Sequence, residues 1–105
     1  MATENIVYLR PSKDPGATLD YAVDLTDWLA ESPGDTITSA TLGVVDPADL
    51  VVQSPTMQGT LAVLWISGGT DGNRYLIPFT VRTSGGRTDV FVAVLDVLSE
   101  MGLAA

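Results

Sequence analysis

The sequence contains no cysteine and no histidine among its 105 residues. Without cysteine there are no disulfides, thiol nucleophiles or thiolate metal sites. Without histidine the commonest general base and metal ligand is missing. The serines therefore have no imidazole to activate them, and the one lysine, Lys13, lies in a predicted loop. These absences predict a protein that is not an enzyme and that holds neither a metal ion nor a cofactor.

Positive charge is also scarce, because 5 lysine and arginine residues face 13 aspartate and glutamate residues, for a net charge of -8. Such a chain repels phosphate, so nucleic acid and anionic membrane surfaces are not expected partners. No apolar run approaches the roughly 20 residues of a membrane span. The N-terminal stretch lacks the basic leader and apolar segment of a signal peptide. We expect a soluble protein made in a cytoplasm.

Apolar residues are plentiful, at 46% of the chain, which is enough for the core of a single domain spanning residues 1–105. Short β-branched segments alternate with turns rich in glycine, proline, aspartate and serine, and no helical segment is long enough for a βαβ crossover. We predict an all-β, antiparallel, immunoglobulin-like sandwich of about seven strands, with a small β-barrel as the alternative. Residues 1–17 are predicted to form an extended N-terminal segment and residues 98–105 a flexible tail.

The alternation of apolar and polar residues locates the individual strands. Leu19, Tyr21, Val23 and Leu25 alternate with polar or small residues, which predicts a half-buried strand over 18–25. Further strands are predicted at 36–45, 50–53, 61–66, 74–82 and 88–97, after a short apolar patch at 6–9. Ile37 and Leu42 differ in parity, which predicts a β-bulge between them. Thr26 is predicted to cap a helical turn in which Trp28 closes one end of the core.

Three groups of residues were weighed as chemical sites. Asp20, Asp24 and Asp27 are interpreted as a solvated face, because a glycosidase needs two carboxylates across a cleft and calcium needs a cage of oxygens. The loop "GGTDGNR" at 68–74 is interpreted as a hairpin connection that offers at most a weak ion site at Asp71. The strand tyrosines lie on apolar parity, so we expect core packing rather than sugar stacking.

Two long pieces of the sequence, "LDYAVDLTDWLAESPGDTITSATLGV" and "LWISGGTDGNRYLIPFTVRTSGGRTD", resemble a family of small tailed-phage virion proteins, the fibre–tail adaptors. The most distinctive positions are Asp24 to Leu29, Gly34 to Ile37, Ser67 to Gly69 before Gly72 and Tyr75, and Thr83-Ser84 before Gly86-Arg87-Thr88. The resemblance implies a non-enzymatic β-sandwich that seats a tail fibre on the tail or neck. Its partners would be other virion proteins, met in a symmetric multi-copy assembly, and its location would be the virion.

The chain departs from that pattern at Leu42, where a tryptophan is expected, and at 90–95, an apolar run where similar sequences are polar at alternate positions. Similar sequences often carry a non-glycine residue at Gly85, which favours a three-residue loop with a left-handed Gly86. Val90, Val92 and Val94 then point outward beside Thr80, Pro78 and Leu76. A two-residue loop would instead turn 91, 93 and 95 outward.

We expect these six outward residues to bind a partner, since contiguous exposed apolar area usually marks an interface. The competing interpretations are that the N-terminal segment or C-terminal tail covers them, or that valine is present only because it favours strands. An alternative function is that of a head–tail neck or collar completion protein. A carbohydrate-binding module, which would use an exposed Trp28 or Trp65, is a further alternative.

Overall fold

The computed structural model describes residues 5–10 and 12–99. Over these residues the chain forms eight strands and one short helix. In chain order they are β1 (Asn5–Tyr8), β2 (Thr18–Asp24), α1 (Thr26–Ala30), β3 (Ile37–Leu42), β4 (Leu50–Val52), β5 (Thr56–Gln58), β6 (Leu61–Gly68), β7 (Arg74–Thr83) and β8 (Thr88–Asp96). Most of the predicted C-terminal tail, from residue 100 onward, lies outside the described residues.

The strands form two sheets, which confirms the all-β sandwich and contradicts a closed barrel. The first sheet has the order β1-β8-β7-β3, and the second has the order β2-β6-β4 with β5 also paired to β6. All pairings are antiparallel except that of β1 with β8, which is parallel. The sequence analysis missed β5, because its three residues are too few to show an alternation.

The core lies between the two sheets and is built from alternate residues of the long strands. On β7, Tyr75, Ile77, Phe79 and Val81 are all completely buried. The Phe79 ring stacks on Phe91 of β8 with ring centroids 5.6 Å apart. The second sheet contributes buried side chains that pack against those of β7 and β8, namely Tyr21, Val23, Ala62, Leu64 and Ile66. The period of two therefore decides which side of each strand is left for other contacts.

Two local predictions meet the structure with different results. The register between β3 and β7 shifts between Ile37 and Ser39, which confirms a bulge in this segment. Thr26 was expected to cap the helix, and this was wrong, because Thr26 is the first helical residue and Leu25 is the N-cap. The carboxylate of Asp24 instead accepts a hydrogen bond from the Thr26 backbone N–H at 2.9 Å. The helix start is thus held by a residue one position before its N-cap.

Lys13, predicted to lie in a loop, is completely buried and ties the N-terminal segment to both sheets. Its Nζ donates to the carbonyl oxygens of Gly68 at 2.7 Å and Asp14 at 2.8 Å. Its backbone N–H donates to the carbonyl of Asp96 at the end of β8. Burial lowers the pKa of the Lys13 ammonium, an effect that nearby Asp14 partly opposes. The position of β1 beside β8 is therefore anchored at its C-terminal side.

Candidate partner-binding surface

The turn between β7 and β8 has the three-residue form, which decides the orientation of every residue on β8. Val81 pairs with Asp89 and Phe79 with Phe91, and Gly86 has a φ of 93°. Left-handed backbone of this kind favours glycine, which carries no Cβ. The three-residue prediction is confirmed, so Phe91 turns into the core together with 93 and 95.

Asp35, just before β3, holds this turn in place. Its Oδ1 accepts hydrogen bonds from the Gly85 backbone N–H at 2.7 Å and from the Ser84 hydroxyl at 2.8 Å. The neighbouring hydroxyls of Thr83 and Ser84, with the backbone N–H groups of Gly85 and Thr36, lower the pKa of Asp35 to about 2. A carboxylate that accepts several hydrogen bonds is stabilised in its charged form, so the turn is fastened by an ionised side chain.

The six predicted partner-binding residues come together on the outer side of β7 and β8. They form three cross-strand pairs: Leu76 with Val94, Pro78 with Val92, and Thr80 with Val90. Their exposure is uneven. Val90 is 48% exposed and Leu76 43%, Pro78, Thr80 and Val92 are half-buried, and Val94 is only 6% exposed. Solvent therefore reaches Val90 and Leu76 most, at diagonally opposite corners of the set, and Val94 least.

Strand β1 adds two further apolar residues to this side of the sheet, which sequence reasoning missed. Ile6 lies opposite Val92 and Tyr8 lies opposite Val94, and both are about half exposed. Residues 5–8 therefore lie beside β8 and widen the outer surface. We call this surface the apolar face; its members are Ile6, Tyr8, Leu76, Pro78, Thr80, Val90, Val92 and Val94.

Charged residues border the apolar face at one end. The Arg74 Nε donates to Asp96 Oδ1 at 2.7 Å, and the Arg74 guanidinium lies 5.9 Å from the centre of the Tyr8 ring. The hydrogen bond from Arg74 lowers the pKa of Asp96 and raises that of Arg74. An apolar centre with a polar border is the usual anatomy of a protein–protein contact.

The residues weighed as chemical sites are separated by the fold. Asp20 and Asp24 point outward from β2, and residues 5–10 and 12–99 contain no group of three or more carboxylates that could hold a metal ion. Asp71 instead accepts a hydrogen bond from the Ser99 backbone N–H at 2.8 Å. Tyr75 is buried, and its hydroxyl donates to Asp49 at 3.0 Å. In the described part of the chain, no helix has the length and apolar character to cross a membrane.

The positions that carry the family resemblance lie at the turns. Asp35 joins the segment 34–37 to the segment 83–86. The Arg87 guanidinium lies 4.3 Å from the Trp28 ring, and Trp28 in turn packs edge-on against Phe91 at 5.4 Å. Tyr75 accepts a hydrogen bond from Thr70 in the loop that follows Gly69. These positions hold the sandwich together and lie outside the apolar face.

The chain forms a small β-sandwich whose loops are held by side-chain contacts, and one sheet exposes an apolar surface. These features are typical of a structural protein module. Residues 13–96 match the sequence model of a family described as podophage GP4 fiber-tail adaptor protein gp77. The chain therefore belongs to this family, which confirms the resemblance, and its role is that of a structural protein of the phage tail. No curated protein sequence matches the chain.

Proposed function

We propose that this chain joins a tail fibre to the tail or neck of the particle, and that the apolar face is where another virion subunit binds. The proposal covers several symmetric copies of the chain arranged around the tail. Membership in the fibre–tail adaptor family supports the structural role. The single observation that supports the location of the contact is the run of apolar side chains across the outer side of β1, β8 and β7.

The preference of valine for strands does not account for the apolar face. That preference would explain Val90, Val92 and Val94 on one strand. It does not explain why Leu76 and Pro78 on β7, which are not β-branched, are also apolar on the same side. The β7–β8 hairpin and the distant strand β1 present apolar residues to one surface, which is the pattern expected of an interface.

Covering this face would contribute favourably to the free energy of binding. Burial of apolar surface contributes about 25 cal/mol per Å², so covering several half-exposed aliphatic side chains contributes several kcal/mol. Flat apolar contact of this kind provides affinity, while the Arg74–Asp96 border provides orientation.

The test places a carboxylate inside the proposed contact. Val90→Glu and Val92→Glu each put a charge where a partner would exclude water, and an unpaired buried charge is strongly unfavourable. Phage particles produced with each variant are purified, and the amount of this chain per particle is measured by quantitative mass spectrometry. We expect at least a tenfold loss of the chain from the particles, which corresponds to about 1.4 kcal/mol of binding free energy.

Thr88→Glu is the matched control, because it adds the same charge to the same side of β8 but lies at the turn, opposite Arg82. Urea unfolding of all three variants checks that the fold is kept. Retention of Val90→Glu and Val92→Glu at the level of the parent chain contradicts the proposal. An equal loss with Thr88→Glu also contradicts it, because the effect is then one of charge and not of the apolar face.

A further inference from the structure

The second sheet exposes a tryptophan on its outer side, opposite to the apolar face. Trp65 lies on the central strand β6 and is 44% exposed, while its neighbours Leu64 and Ile66 are completely buried. The indole therefore stands on the solvent side of the sheet. A large exposed aromatic side chain in the middle of a sheet is among the side chains that most often dominate a binding contact.

Asp20 on β2 lies directly across from Trp65. Directly opposed residues of an antiparallel pair have Cβ atoms about 5 Å apart, so the carboxylate stands beside the indole. Within residues 5–10 and 12–99, no ion pair or hydrogen bond engages the Asp20 side chain. Arg10 lines the cleft next to Asp20 without forming an ion pair with it. The aromatic ring and the unpaired carboxylate thus form one exposed site.

The surroundings of Trp28 show that an aromatic ring beside a carboxylate binds an arginine within this protein. The Arg87 guanidinium lies over the Trp28 ring at 4.3 Å, and its Nη2 approaches Glu31 Oε1 at 3.4 Å. An arginine there is held between an aromatic ring and a carboxylate. Trp65 and Asp20 supply the same ring and the same kind of carboxylate, and within residues 5–10 and 12–99 no arginine or lysine lies over the Trp65 ring.

We propose that Trp65 and Asp20 bind an arginine side chain of another virion protein, at a contact on the opposite side of the sandwich from the apolar face. A guanidinium fits better than an ammonium, because its planar fork can pair with a carboxylate while its face stacks on an aromatic ring. The net charge of -8 favours the approach of a basic segment. This inference rests on the proposed function, because an adaptor that joins two components needs two surfaces.

Site-directed photo-cross-linking in assembled particles tests the second contact. Benzoylphenylalanine replaces Gln53, an exposed residue whose backbone N–H donates to the Trp65 carbonyl, and, in a separate chain, Val90 of the apolar face. Cross-linked peptides are identified by mass spectrometry. We expect the probe at 53 to reach an arginine-containing segment of another virion protein, and the probe at 90 to reach a different segment.

Paired variants identify the side chains responsible. Asp20→Asn removes the charge with little change in shape, and should lower the yield of the cross-link at 53 about fivefold. Asp27→Asn makes the same charge change on α1 and should leave the yield unchanged. Trp65→Leu should lower the yield at least as much as Asp20→Asn.

Several outcomes overturn the inference. They are a cross-link from 53 to a segment without arginine, to a carbohydrate or to a second copy of this chain, an unchanged yield with Asp20→Asn, and no cross-link from 53 in particles that retain the chain. The probe at 90 reports separately on the proposed function. If 90 cross-links and 53 does not, only the arginine site is wrong, and the reverse result leaves the arginine site standing while the apolar face fails.

Discussion

The turn of the β7–β8 hairpin and the outer side of its two strands are built in opposite ways. At the turn, side chains from distant parts of the chain converge: Asp35 accepts hydrogen bonds from 84 and 85, and Trp28 is packed between Arg87 and Phe91. In the middle of the same two strands the outer side is apolar and partly exposed, as at Val90 and Leu76. The turn residues contact side chains from distant parts of the chain, whereas the outer side of the strands remains partly exposed to solvent.

This difference separates what the family shares from what is particular to this chain. The residues that carry the family resemblance are at the turns, where they fasten the fold. The run at 90–95, where the chain departs from the pattern of the resemblance, supplies three of the eight members of the apolar face. Variants at the turn should therefore affect stability, and variants on the face should affect assembly.

The largest effect is expected at Trp28. Trp28→Ala removes the edge-on contact with Phe91 and leaves Asp89 without the indole N–H that it accepts at 3.1 Å. We expect the free energy of unfolding to fall by about 3 kcal/mol in urea unfolding experiments. Trp28→Phe keeps an aromatic ring but loses the hydrogen bond, so it should cost about 1 kcal/mol. Similar midpoints for the parent and both variants would show that this end of the core is not held by Trp28.

A smaller and pH-dependent effect is expected at Asp35. Its pKa of about 2 lies below the ordinary value of 3.8, so the ionised form favours the folded state. This contribution is fully present above pH 4 and is lost as the pH falls from about 4 to 2. We expect Asp35→Asn to lower the thermal midpoint at pH 7, and the difference from the parent chain to vanish near pH 2.

Thermal unfolding of both chains from pH 2 to pH 7 checks the Asp35 prediction. Asp27→Asn is the control, because Asp27 is an exposed carboxylate on the first turn of α1. A constant difference between Asp35→Asn and the parent across this range would mean that the hydrogen bonds at the turn do not depend on the charge of Asp35.

A still smaller effect on stability is expected on the apolar face. Val90→Thr keeps the size and the β-branching of the side chain, and the residue is nearly half exposed. We expect a change of less than about 1 kcal/mol in the free energy of unfolding. The amount of chain retained in phage particles should nevertheless fall, because a hydroxyl replaces a methyl group in the contact. If Val90→Thr instead lowers stability strongly and leaves assembly normal, Val90 stabilises the fold and does not bind a partner.

The smallest effect is expected at the border of the face. The side chains of Arg74 and Asp96 are 59% and 41% exposed, and exposed ion pairs contribute little in the presence of salt. Arg74→Gln should change the free energy of unfolding less than any variant above, measured in urea at low and at moderate salt. A loss as large as that of Trp28→Phe would mean that Arg74 stabilises the fold.

The parts of the fold that follow local rules were predictable from sequence. The alternation of apolar and polar residues on β7 correctly predicted which of its side chains are buried. The two glycines after Ser84 predicted the correct register between β7 and β8. The parallel pairing of β1 was not predictable, because it joins residues more than 80 positions apart and four residues carry no distinct signal. For the same reason Ile6 and Tyr8 were missing from the predicted surface, although its other six members were found.

The long-range hydrogen bonds of Asp35 and Lys13 were equally unpredictable from the sequence. The hydrogen bonds of Asp35 join residues about 50 positions apart. Nothing in the local pattern of 34–36 shows that this aspartate bonds to a distant turn and not only within its own. The burial of Lys13 contradicts the ordinary expectation for lysine, and it depends on the carbonyl of Gly68 on another strand. Such contacts follow from the assembled topology, which periodicity alone does not specify.

The buried lysine would have a mechanical consequence if a partner bound at the apolar face pulled on β1. Tension along β1 acts parallel to the strand, so it shears the whole ladder with β8 at once instead of opening one rung after another. At the far end of the segment, the ammonium of Lys13 transfers that load to the opposite sheet through Gly68. Drag on an attached fibre would thus be shared by both layers of the sandwich.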